Sequence, residues 1–258
     1  MGRTIEKRLV KEIIEVLRDK KYGYLRAGFP TYGRLFGRDS LISAWQFLEL
    51  DPKIARDTLK ILAKFQGTKI DAERDEEPGK ILHEHQIGKK IHPQGYFPFP
   101  YYGSADSTPL FLILFCLYYK KTRDRDFAVK YWLNAVRALS WIFHFGDKDG
   151  DLFLEYKRKR KTGLFHQGWK DSFQNHLKIT PPVAIVEVQG YQYLALIETA
   201  GLAKSLFQDK ALAISLLQRA KKLKKKFNQE FWMNDKKYFA LALNNRKKQR
   251  KAITSNPG

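Results

Sequence analysis

Ser107-Thr108-Pro109-Leu110-Phe111-Leu112-Ile113-Leu114-Phe115-Cys116-Leu117-Tyr118-Tyr119-Lys120 is the stretch on which the architecture turns. Pro109 falls in the opening turn of the helix it predicts, where a missing N–H leaves no intrahelical bond unmade. The ten residues from Leu110 to Tyr119 are all apolar or aromatic. A membrane span needs about 20 such residues, so the run predicts a helix of a soluble protein. Cys116, inside it, reads as a buried and inert thiol.

The same punctuation recurs outward from this helix. After a short turn, Asp124 to Phe145 predicts a second helix. Toward the amino terminus, Ile5, Leu9, Ile13, Val16 and Leu17 share one side of a helix over Ile5 to Arg18. Ser40 to Leu50 reads as a helix ended by Asp51-Pro52, and Pro52 opens another that runs to about Gln66. Toward the carboxyl terminus come Val183 to Ala200 and Lys210 to Phe227. A short hairpin follows over Phe231 to Phe239, with Asn234-Asp235 in its turn. Two long polar segments, Gly67 to Tyr102 and Gly146 to Pro182, interrupt the series, and loops of that length usually carry function or move. About seven helices in consecutive pairs thus predict an all-α fold of helical hairpins, its loops gathered at one end. Consecutive parallel strands are absent, which argues against a doubly wound sheet.

The 258 residues, 43% of them hydrophobic, suffice for one sizeable core, so residues 1–258 read as a single domain. Aromatics at 14% fit either a large core or a sugar site, where pyranose C–H faces stack on rings. One cysteine excludes an internal disulfide framework and fits a reducing compartment. Met1 to Lys7 is charged and lacks the apolar core of a signal peptide, so a soluble, cytoplasmic protein is expected, with no membrane partner. A formal charge of +21 raises the possibility of a polyanion ligand. The excess lies in three clusters, Lys157 to Lys161, Lys221 to Lys226 and Arg246 to Lys251, which read equally as solvated surface. No zinc-finger, helix-turn-helix or RNA-binding signature is present, so nucleic acid is not the expected partner.

Chemistry-bearing residues crowd into five segments. They are Ala27 to Gly33 with Phe36 to Ser40, Pro78 to Glu84, Tyr101 to Pro109, Gln167 to Ser172, and Pro181 to Tyr191. Two metal readings fail on spacing. His83-Glu84-His85 lacks the i, i+4 histidines of helical zinc sites. Asp147-Lys148-Asp149-Gly150-Asp151 has its glycine too early, and Glu155 too soon, for an EF-hand; it reads as an Asp/Gly turn, with weak calcium binding left open. Neither a metal nor a cofactor is expected.

In this order the five segments resemble the catalytic domain of bacterial and archaeal amylo-α-1,6-glucosidases, the glycogen-debranching family. Its clan includes glucosylglycerate and mannosylglycerate hydrolases, trehalases and glucoamylases. The resemblance runs from about Ala27 to the last residue and implies an (α/α)6 toroid, six helical hairpins forming two rings around a sugar-binding pit. It implies an inverting glycoside hydrolase, in which one carboxyl protonates the leaving oxygen and another activates water about 6.5–9.5 Å away. It places the acid on Asp171, beside Trp169, which could desolvate it, and Lys170, which could bind substrate. Read alone, Asp171 is equally a helix cap. Arg38 and Asp39 resemble the pair that grips the terminal sugar, although Asp39 also reads as an N-cap. His83, Glu84, Asp106, Glu187 and Gln189 are implied as further sugar ligands; on one helix, Glu187 and Gln189 would not share a face.

The family's general base is a Glu from later helices, and Ser255-Asn256-Pro257-Gly258 resembles the start of a motif leading into another inner helix. Seven helices do not close a ring of six hairpins. The expectation is therefore an incomplete toroid, inactive alone, with inner faces such as Leu110 to Tyr119 exposed and a second chain as a possible source of the missing half. The expected substrate is an oligo- or polysaccharide with an α-glucosidic bond. A small glucoside of the glucosylglycerate, mannosylglycerate or trehalose kind, and a non-catalytic carbohydrate- or polyanion-binding role, remain the alternatives.

Overall fold

In the computed structural model, residues 2–257 are described, with side chains from residue 9 onward. Met1, Gly258 and the side chains of residues 2–8, Ile5 among them, lie outside the described residues. Seven α-helices are found in this span: α1 Gly2–Leu17, α2 Gly37–Gln46, α3 Pro52–Lys64, α4 Ser107–Thr122, α5 Arg125–Trp141, α6 Val186–Ser205 and α7 Lys210–Glu230. A π-helical turn, Ile142–Gly146, continues α5, and Asp147 N donates to Ile142 O there.

The helices form two layers. α4 packs between α2 and α6, while α3, α5 and α7 lie outside them, each against its chain neighbours. Because α2 and α6 flank α4, its residues Leu110 to Cys116 are no more than 3% exposed. This corrects the expectation that Leu110 to Tyr119 would be open to solvent; only Leu117 and Tyr119 are partly exposed. Burying a side chain such as Phe111 or Phe115 stabilises the fold by about 1.5–3 kcal/mol. α1 also departs from expectation. Ile14 and Leu17 pack against the core, whereas Leu9, Ile13 and Val16 face solvent.

The outer helices start on aspartate caps. Asp51 accepts from Lys53 N, Asp124 from Phe127 N and Asp209 from Leu212 N, at 2.9–3.1 Å. α2, α4 and α6 have no side-chain cap hydrogen bond. Their entrances are set instead by short ladders and by ion pairs. Strand β1 (Leu35–Phe36) leads into α2 and pairs antiparallel with β2 (Glu84–His85). Strand β3 (Ala184–Ile185) leads into α6 and joins β6 (Ala242–Leu243) and β7 (Gln249–Arg250) in an antiparallel sheet of order β3-β6-β7. The expected hairpin is β4 (Trp232–Met233) with β5 (Tyr238–Phe239). Two-residue strands have no periodicity to read, so the first two ladders escaped the sequence.

Among the described residues, no helix is long and apolar enough to cross a membrane.

Candidate active site

The first turns of α2, α4 and α6 meet at one end of the layers, and Arg38 joins two of them. Its Nη1 donates to Asp106 Oδ2 at 2.9 Å and to the carbonyl of Gly168 at 2.7 Å, and its Nη2 to Asp171 Oδ2 at 2.6 Å. Gly37 permits this approach: a Cβ there would lie 2.1 Å from the carbonyl of Leu82. Burial disfavours the Arg38 charge, yet Asp106 and Asp171 outweigh it and raise the guanidinium above its ordinary value.

Over this floor opens a pit of about 490 Å³, within the range of small-ligand sites. Asp39, His83, Glu84 and Asp171 reach into it with Arg38. Asp39 is half-buried and makes no hydrogen bond or ion pair with a described residue. Burial raises its carboxyl above the ordinary range, with Arg38 and His83 opposing. Asp171 has one oxygen fixed by Arg38, while the other makes no hydrogen bond with a described residue. His83 packs edge-on to Phe36 and Tyr101, at centroid distances of 5.6 and 6.0 Å, and burial lowers its pKa, favouring the neutral imidazole.

Glu84 lies 3.1 Å from Arg34 Nη1 and 3.7 Å from His92 Nε2. Burial pushes its carboxyl up to about 7, with Asp171 adding to the rise and Arg34 opposing it. A carboxyl whose pKa is higher folded than unfolded binds more protons in the native state between the two values. Its contribution to stability is therefore complete below the ordinary carboxylate range and is lost as pH rises toward about 7. The Glu84 carboxyl resonance in ¹³C NMR should accordingly titrate with a midpoint near 7; a midpoint in the ordinary range would refute the effect of burial.

Of the walls, the five segments took in Tyr32 and Phe36 and missed the rest. Tyr32, Phe36, His92, Gln94, Tyr96, Phe97, Leu164 and Phe173 also line the pit. Tyr96 packs on Phe173 at 4.6 Å, and Phe97 stacks on Tyr101 at 3.9 Å. The density of aromatics over Tyr96 to Phe99, read only as loop, was the available signal.

Several expected sugar ligands lie elsewhere. Asp106 is fully buried beneath the pit, bound by Arg38 and Ser104. Glu187 Oε1 accepts from Trp169 N at 3.0 Å, and burial raises its carboxyl. Gln189 turns away. Its amide is used by both backbone groups of Leu154 and by the carbonyl of Ile185, which settles the question of faces on α6. Trp169 is exposed and lies 5.6 Å from the Arg38 guanidinium, and Lys170 is exposed without a partner among the described residues. Neither aspartate is a cap: Asp39 is the third residue of α2, and no helix begins at Asp171.

Asp147, Asp149 and Asp151 each place a ligand atom within 4.8 Å of the others, the spacing a metal ion would require. Lys247 Nζ stands among them, 2.9 Å from Asp149, 3.0 Å from Asp151 and 2.5 Å from Glu155. That ammonium supplies the positive charge a metal would bring. A larger groove, about 1130 Å³, involves Arg18, Lys53, Lys60 and Tyr131. None of the five segments reaches it, so volume alone does not choose the site.

The sequence profile of the family described as amylo-alpha-1,6-glucosidase matches residues 93–257. No curated protein matches the chain. Among solved structures, it resembles a GH63 mannosylglycerate hydrolase from Thermus thermophilus in complex with Tris, with a TM-score of 0.67 and 12% identity over 96% of this chain and 72% of that one. A rhamnosidase from Klebsiella oxytoca with rhamnose bound gives a TM-score of 0.60 and 14% identity over 97% of this chain and 42% of that one. At such identities the likeness establishes the fold, a helical toroid of which the chain spans part of its neighbours' length.

Proposed function

Since the chain belongs to the amylo-α-1,6-glucosidase family, we propose that residues 1–258 are one catalytic domain, or part of one, that hydrolyses an α-glucosidic bond with inversion. Asp171 is its proton donor. The observation that carries this reading is the placement of Asp171 at the edge of an aromatic-walled pit, one oxygen held by Arg38 and the other free.

In this reading the terminal glucosyl unit rests on the pit floor. Asp39 accepts its hydroxyl protons, and neutral His83 offers a hydrogen-bonding edge. The C–H faces of the sugar lie against Tyr32, Phe36 and Tyr96. As the C1–O bond breaks, Asp171 gives its proton to the leaving oxygen, and a base takes one from water attacking the opposite face. Glu84 is tied to Arg34, Asp106 and Glu187 lie beneath the floor, and Asp39 holds the sugar. In this reading the base comes from a further segment or a second chain.

The pit also bears on substrate class. Arg38 is the cation that lines it, and its contacts are taken by Asp106, Gly168 and Asp171. Burial lowers the pKa of both His83 and His92. Among the described residues that line the pit, an anionic glycerate aglycone finds no free counter-charge, Lys170 beside Asp171 being outside that lining, and this favours a neutral oligoglucoside. The test is ¹H NMR of the enzyme, base-bearing segment included, acting on an α-1,6-branched oligoglucoside and on glucosylglycerate. The expected result is β-glucose as the first anomer, with kcat/KM at least about tenfold higher on the oligoglucoside, a 1.4 kcal/mol preference. First release of the α-anomer would overturn the mechanism, and a preference for glucosylglycerate the substrate class.

A further inference from the structure

Asp106 holds a position unlike that of a sugar ligand. Its Oδ2 is taken by Arg38 at 2.9 Å and its Oδ1 by Ser104 Oγ at 2.6 Å, and the residue has no exposed surface. Ser104 is itself fixed, within 2.7 Å of Ser107 Oγ and accepting from Ser107 N at the start of α4. On the far side of Arg38 stand the two groups that most need placing, the carbonyl of Gly168 and the Asp171 carboxylate. Ala105 N donates to Gln167 O at 2.8 Å, so the segment before α4 grips the same loop through its backbone. Glu187 holds the next residue through Trp169 N, with Gly168 leaving it room: a Cβ there would lie 2.7 Å from Glu187 Oε1.

We propose that Ser104 and Asp106 are positioning residues that set the Asp171 carboxyl through Arg38, and that Asp106 never touches the sugar. This rests on the reading of Asp171 as proton donor. The planar guanidinium has a carboxyl group on each side, so its orientation is fixed only while Asp106 is charged and Asp171, carrying its proton on Oδ1, accepts through Oδ2. Removing the charge on Asp106 leaves Nη1 with the Gly168 carbonyl as its one strong acceptor, lets the fork turn about that bond, and moves Asp171 by a fraction of its bond to Nη2. Misplacement of about 1 Å costs on the order of 10²-fold in rate.

The test compares Asp106→Asn and Ser104→Ala with the unchanged enzyme, base-bearing segment included, on a branched oligoglucoside. Asp106→Asn should lower kcat about 10²-fold and Ser104→Ala about tenfold, each with KM within about threefold. A tenfold rise in KM with kcat preserved would overturn the proposal, because that is the signature of a lost sugar contact. A second readout needs no turnover and so separates this inference from the activity. In ¹⁵N-arginine NMR of the chain, Arg38 should rotate slowly about its Nε–Cζ bond, and faster in both variants. Ser104→Ala, which keeps every charge, serves if Asp106→Asn does not fold. Unchanged rotation in the variants would overturn the relay even in a fully active enzyme; faster rotation in a protein inactive on every glucoside would leave the relay standing and remove the proposed activity.

Discussion

Asp171→Asn should lower turnover of an α-1,6-linked oligoglucoside by about 10³-fold while leaving hydrolysis of α-glucosyl fluoride within about tenfold of the unchanged enzyme, the scale of general acid catalysis. The contrast follows from the leaving group. A sugar alkoxide needs a proton as the C1–O bond breaks, and an amide side chain has none to give. Fluoride departs without one. Asparagine keeps the size of the side chain and an oxygen that can accept from Arg38 Nη2, so the loop from Gly168 should keep its path. Steady-state kinetics on both substrates, in enzyme that includes the base-bearing segment, make the comparison. Equal losses on the two would mean that Asp171 shapes the pit rather than donating the proton.

Arg38→Met should cost about 3–5 kcal/mol of stability in equilibrium urea unfolding. Arg38 is 7% exposed, and Asp106 beneath it has no exposed surface. Removing the guanidinium strands a buried carboxylate that only Ser104 still contacts, and leaves the carbonyl of Gly168 without its donor. The double variant Arg38→Met, Asp106→Asn should be more stable than Arg38→Met alone, because the stranded charge goes with its partner. A single-variant cost below about 1 kcal/mol would show that water reaches Asp106 and that the floor of the pit is wet.

The two effects meet in one short segment. Gly168 to Asp171 is not a helix; an antiparallel bridge between His166 and Ser172 closes it at its base. It is held from α2 by Arg38, from the start of α4 by Ala105 and from α6 by Glu187. Beyond that bridge the loop is tied to three helices, the arrangement that would hold a reacting group to sub-ångström tolerance.

The helices and their order were legible in the amino acids alone, since each carries local signals. Pro52 and Pro109 open α3 and α4, Asp51, Asp124 and Asp209 cap the outer helices, and apolar residues recur at helical spacing. The grouping of Arg38, Asp39, His83, Glu84 and Asp171 was implied too, by the family resemblance that the five segments carry. Side-chain direction was not. Whether Asp106, Glu187 and Gln189 face a sugar or the backbone depends on partners 18 to 68 positions away, and no local periodicity encodes such contacts. The same holds for α4, whose apolar run was expected to lie open to solvent and is instead covered by α2 and α6, and for α1, where Ile14 and Leu17 turn inward. Local signals therefore set that helices form and where the capped outer ones begin, while the tertiary packing of α2, α4 and α6 fixed their entrances and decided which of the carboxylates reach the pit. The physical reason is that capping and helix propensity act within a turn or two of chain, whereas the desolvation and pairing of a buried charge depend on whatever the fold brings beside it.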